Sequence, residues 1–177
     1  MLARAFDDDP LTTWMFPDAT TRRRRLPAWF ASLIRPALDV DEVYVTERLQ
    51  GLAFWYPPGT FPFGWKANAT VGLSMVRLLR GRLLSQLRGL LYLGSHHPKE
   101  PHWYLGMLGT DPQWQGKGSG LRFSPVALNA ALKAVQGSTS RLRRRKVPFY
   151  ARHGFVVTEE MHVPGGPVMW AMWREPH

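Results

Sequence analysis

The residues best suited to chemistry are Gln115-Gly116-Lys117-Gly118-Ser119-Gly120. They follow an apolar run, Trp103 to Gly109, and a turn signal, Asp111-Pro112. A strand, a glycine-rich turn and a helix start in that order build a phosphate cradle. Backbone N–H groups at the helix N-terminus point at one spot, and the helix dipole favours an anion there. Glycine lets the backbone come close to the ligand. The plainer reading of the same residues is an ordinary strand–helix turn.

The elements that must position this turn are legible on both sides of it. Apolar spacing predicts a helix over Leu2–Phe16. A second runs from Arg22 toward Ile34, capped by Thr20 or Thr21 and stopped by Pro36. The Arg22–Arg25 run reads as a solvated helix start. Residues 42–46 and 52–56 read as an antiparallel hairpin, ended by Pro57-Pro58-Gly59. The Pro-, Phe- and Gly-rich stretch through Trp65 is expected to be a loop packed by aromatics. Val71–Leu93 reads as helix with a break at Gly81 or Gly89. His102–Leu108 is apolar and aromatic enough for a central strand. A helix is expected over Ser119–Val135. Val147–Phe155 reads as a short helix with Pro148 in its first turn and Gly154 as its stop. Residues 155–158 and 167–173 are the final strands.

The 177 residues, 45% of them hydrophobic, suit one domain with a real core. The domain is expected to span residues 1–177. There is no cysteine, which excludes disulfides and thiolate metal sites and fits a reducing cytoplasm. No metal site is read. Residues 1–10 do not read as a signal peptide. Leu78–Leu93 is too short and too charged to span a bilayer. The net charge is +10, which by itself points to nucleic acid or an anionic membrane. Its distribution points elsewhere. Seven of the 23 basic residues lie in 119–146, leaving 16 against 13 acidic ones. No acidic residue stands between Asp111 and Glu159. Neither a nucleic-acid nor a membrane partner is therefore expected.

The glycine turn, then Pro148-Phe149-Tyr150 and Gly154-Phe155 about 30 residues on, resemble the GCN5-related N-acetyltransferase (GNAT) superfamily. Pro10-Leu11, Trp14–Asp18 and His102–Leu105 resemble one bacterial branch of it. The resemblance covers nearly the whole chain. It implies an α/β (α+β) fold with a mixed, mostly antiparallel central sheet flanked by helices. It implies acetyl-CoA as co-substrate, with direct transfer of the acetyl group to a primary amine on a small molecule or peptide. By this resemblance Gln115, Gly116, Lys117, Gly118, Ser119 and Gly120 would hold the pyrophosphate. The backbone near Leu108 and Thr110 would pair with the pantetheine arm. Tyr150 would protonate the leaving thiolate. His102 and Glu100 are the candidates for the base that takes the amine's proton. The plainer readings are a packed core aromatic for Tyr150 and, for His102, a ring satisfied by a backbone carbonyl. A homodimer is one assembly considered.

Two departures from the family's pattern stand out. The family opens with a strand, whereas Met1 begins inside the expected helix, so the first strand is expected to be absent or the start to lie upstream. The second departure is residues 119–146. Here Gly137–Lys146 is a basic run where the family has an apolar strand, and Lys146 stands where an asparagine is expected. Codons available for Gly137–Arg145, read from their third base, spell Leu-Asn-Val-Glu-Ala-Ser-Lys-Glu. The same offset over Gly118–Phe123 spells Leu-Gly-Pro-Ala-Leu. We read the segment as translated out of frame, with the expected strand left as loop or mispaired. Resequencing the gene across these codons tests this: an unbroken frame would end the idea. Two other functions remain open at this stage: a non-catalytic acyl-CoA-binding or inactivated relative, and a nucleic-acid module built on Arg141–Lys146.

Overall fold

In the computed structural model, residues 1–61, 65–115, 138–142 and 146–175 are described. The expected helix over 119–135 lies outside them. Three helices open the fold: α1 (Leu2–Ala5), α2 (Pro10–Met15) and α3 (Ala19–Leu38). Then come β1 (Val43–Val45), β2 (Gly51–Tyr56), α4 (Trp65–Leu79), α5 (Leu83–Ser95) and β3 (Trp103–Thr110). The remaining elements are β4 (Ser138–Leu142), α6 (Val147–Ala151), β5 (Val156–His162) and β6 (Val168–Arg174).

Side-chain caps set the first boundaries. The single helix expected over Leu2–Phe16 is two, because Asp9 accepts from the Leu11 N–H at 2.9 Å and starts α2 afresh. Helix α3 is capped by Asp18, which accepts from the Thr21 N–H at 2.8 Å, and not by Thr20 or Thr21. Pro36 does not stop it, since the helix runs on to Leu38. Arg22 is buried rather than solvated. Its Nε reaches Asp7 Oδ1 at 3.2 Å and its Nη1 donates to the Phe16 carbonyl at 2.9 Å. Arg25 donates to the Leu78 carbonyl. The arginine run therefore ties the helices together. The break between α4 and α5 falls at residues 80–82, around Gly81.

The six strands form one sheet in the order β1-β2-β3-β4-β6-β5. All neighbours are antiparallel except β3 and β4. This is the mixed, mostly antiparallel sheet expected. The basic run does supply a central strand: Ser138–Leu142 pairs with β6 from Ser138↔Arg174 to Leu142↔Trp170. The expectation of a loop fails there because strands on both sides dictate the backbone, which intrinsic preference does not override. On one face, Phe54 and Tyr56 pack with Ala37 of α3, and Met169 and Ala171 pack with Leu93 of α5. On the other face, Trp55, Leu105 and Met172 pack with Tyr150 of α6 and Phe155.

Candidate functional site

The site is built around β3. Its antiparallel register with β2 runs Phe54↔Met107 and then Trp55↔Leu105, so Gly106 is an extra residue on β3. A bulge of this kind bends the strand and leaves one residue out of the ladder. Glycine is required there: a Cβ on Gly106 would collide with the rings of Phe54 and Tyr56. Gly106, one of two glycines inside an apolar strand, was the available signal for the bulge.

The other side of β3 meets β4 for two pairs only, Trp103↔Ser138 and Tyr104↔Thr139. From Leu105 to Thr110, β3 keeps β2 as its partner and has no parallel partner among the described residues. β4 meanwhile continues along β6 through Leu142. Among the described residues the two strands pair at Trp103–Tyr104 and part beyond. A strand edge without a neighbouring strand can take an extended ligand arm in its place.

Tyr150 stands beside this opening. It is 6% exposed and clusters with Leu105, Trp55, Phe155 and Met172, and Leu108 packs on the same group. Phe149 and Phe155 meet its ring edge-on, at centroid distances of 5.1 and 5.6 Å. Helix α6 is held short by Gly154 at φ +82°, whose N–H donates to the Ala151 carbonyl. The Phe155 N–H returns to the Tyr150 carbonyl at 3.2 Å and leads into β5. Trp55, which the sequence did not single out, brings a buried Nε1 with no hydrogen-bond partner among the described residues.

His102 lies on the opposite face of the sheet, one alternation away from Trp103 and Leu105. It is 5% exposed, and its Nδ1 bonds the Glu100 carbonyl at 2.6 Å. A carbonyl only accepts, so Nδ1 carries a proton, and in the neutral ring the lone pair is on Nε2. That Nε2 is buried and has no hydrogen-bond partner among the described residues. His97 and Trp173 flank the ring, with centroids at 4.8 and 5.7 Å. The Glu100 side chain is exposed. It lines a groove of about 480 Å³ with His97, Glu159 and Trp173. His102 and Glu100 are thus neighbours, and Tyr150 meets the sheet from the far side.

Gln115 and Thr110 are joined: Gln115 Nε2 donates to the Thr110 carbonyl at 2.8 Å. Asp111, between them in sequence, is 5% exposed and holds the entry to the turn. Its carboxylate accepts from Arg4 Nε at 3.0 Å and from the Gln113 N–H at 3.3 Å. The Arg4 guanidinium, outweighing burial, keeps the Asp111 carboxyl below its ordinary pKa. Gly116, Lys117, Gly118, Ser119 and Gly120 lie outside the described residues. Among the described residues no group of acidic or histidine side chains could hold a metal ion.

No protein-family model matches the chain. It is similar to a solved structure from Corynebacterium glutamicum described as "histone acetyltransferase HPA2 and related acetyltransferase". The overlay has a TM-score of 0.67 at 23% identity and covers 99% of this chain and 87% of that one. A second structure, described as an acetyltransferase, overlays at TM-score 0.49 and 14% identity, over 99% of this chain and 93% of that one. The second overlay is too loose to argue from. The first shows the fold: this chain shares the fold of that structure over essentially its whole length.

Proposed function

We propose that this protein transfers an acetyl group from acetyl-CoA to a primary amine. The observation that carries the reading is the opening of the sheet after Tyr104↔Thr139 with Tyr150 packed beside it. The acetyltransferase description of the Corynebacterium glutamicum neighbour supports it. The residues fit the co-substrate. The edge of β3 near Leu108 and Thr110, which has no parallel partner among the described residues, suits the amides of a pantetheine arm. The glycine turn that follows Gln115 suits a pyrophosphate.

The amine nitrogen attacks the thioester carbonyl carbon, so a C–N bond forms and the C–S bond breaks. Tyr150 gives its hydroxyl proton to the departing thiolate. His102 is the candidate base: Nε2 is buried on the face of the sheet away from Tyr150, so it would take the amine's proton through a chain of water rather than by direct contact. Glu100, exposed on the groove, attracts the cationic acceptor. Holding both partners against one bulged strand supplies much of the rate by positioning.

A second reading is a protein that binds acyl-CoA without turning it over. Lys146, exposed at the start of α6 where the resemblance expects asparagine, favours it. Acetyl-CoA consumption measured against a panel of primary amines separates the two. Turnover with any amine supports transfer, and binding without turnover across the panel supports the second reading.

A further inference from the structure

Helices α4 and α5 carry an apolar face that the fold does not use. On α5, Leu84, Leu87 and Leu91 are 81%, 39% and 63% exposed, at helical spacing down one side. On α4, Leu73 and Val76 are 51% and 49% exposed. The inner side of α5 is already occupied. Gln86 Nε2 donates to the Trp14 and Met15 carbonyls at 2.7 and 2.9 Å, and Leu93 packs on Met161 and Met169. A helix apolar on a second side has a second partner.

Charge shows what kind of partner. Between Glu47 and Glu100 the chain has no acidic residue, while residues 65–95 hold Lys66, Arg77, Arg80, Arg82 and Arg88. Arg77, Arg82 and Arg88 are exposed. Arg88 lies four residues from Leu84 and three from Leu91, so it shares their face. Two copies pressed together on this face would set arginine against arginine, and residues 48–99 offer no carboxylate to pair them. An anionic bilayer surface matches both features. Leucines enter the boundary between headgroups and acyl chains, and arginine stems lie along it with their guanidiniums at the phosphates. No helix among the described residues is long and apolar enough to cross a membrane, so the contact is peripheral.

We propose that the outer face of α4 and α5 docks on anionic phospholipid. The expectation of no membrane partner came from charge counted along the chain. Counting does not reveal that Arg88 shares an exposed helix face with Leu84 and Leu91.

Co-sedimentation of the full chain with phosphatidylcholine vesicles, with and without phosphatidylglycerol, tests the proposal. Partitioning is expected to rise by about 10²-fold with phosphatidylglycerol and to fall in high salt. The double variant Leu84→Glu/Leu91→Glu is expected to lose most of this binding while its melting temperature stays near that of the parent, since both side chains are exposed. Equal partitioning onto both vesicle types, or a double variant that binds like the parent, would overturn the proposal. So would a dimer that the double variant dissociates in the absence of any vesicle binding, which would mean a second copy covers the face. Capture by polyglutamate without vesicle binding would also overturn it and point to an acidic protein.

Discussion

Tyr104 and Thr139 form the last parallel pair between β3 and β4. One residue later, Leu105 is paired, among the described residues, only with Trp55 on its other side, and it packs on Tyr150. The strands part where the proposed acid stands. This relationship is made by backbone pairing, so it survives the unusual side chains of Ser138–Leu142.

If Tyr150 is the acid, Tyr150→Phe should lower kcat by about 10²-fold or more. The KM for acetyl-CoA should change little, because the ring and its packing remain. Steady-state kinetics on a primary-amine substrate checks this. An unchanged kcat would return Tyr150 to the role of a core aromatic.

His102→Asn keeps a side-chain N–H near the position of Nδ1 and removes the lone pair of Nε2. Its kcat should fall at neutral pH, and the deficit should shrink as pH rises and the amine arrives already neutral. A pH–rate profile of both proteins reads this out. A profile parallel to the parent's at every pH would mean that His102 only anchors the start of β3.

Gly106→Ala tests the bulge. The new Cβ would meet the Tyr56 ring at 2.7 Å. Both Phe54 and Tyr56 are buried, so neither ring can simply move into solvent. The variant should lose about 1–3 kcal/mol, seen as a lower urea midpoint. Its activity should fall by more than the loss of folded protein accounts for, because the strand proposed to hold the thioester moves.

The ion pair of Arg4 with Asp111 makes stability depend on acid. The folded Asp111 carboxyl titrates below its ordinary value, chiefly through Arg4. Asp7 does the same through Arg23 and Arg22. The unfolded chain therefore takes up protons first as pH falls. The stabilisation is complete above the ordinary aspartate value near 3.9 and is lost as pH drops through the lower folded values. Asp111→Asn still caps the Gln113 N–H but loses the pair, at a cost of about 1 kcal/mol or less, since Arg4 is largely exposed. Chemical denaturation between neutral and acid pH should show a shallower acid slope for this variant.

Much of the fold was legible because local pattern and final structure agree. The hairpin of β1 and β2, the break near Gly81, the apolar strand β3 and the Pro148-to-Gly154 helix each carry their signal within a few residues. What escaped reading depends on distant partners. Arg22 looks solvated until Asp7 folds back onto it. Ser138–Leu142 looks like loop until β3 and β6 pair with it from either side. At the candidate site, Tyr150, Leu108 and His102 were singled out from sequence, and the structure packs Tyr150 and Leu108 in one cluster with His102 on the other face. Trp55, Trp173 and the extra residue in β3 were not, because only the sheet brings them to the opening. The separation of Tyr150 and His102 onto opposite faces follows from strand alternation, yet it has meaning only once β3 is known to be the dividing strand.

The central claim is that this sheet opening and its glycine turn take coenzyme A. Thermal unfolding of the full chain with added coenzyme A tests it most directly. At a ligand concentration about 100 times Kd, native-state binding adds about 2.7 kcal/mol, which for a chain of this size raises Tm by roughly 5–10 °C. A saturable rise of that order is expected at micromolar coenzyme A. An unchanged Tm at millimolar coenzyme A would contradict it.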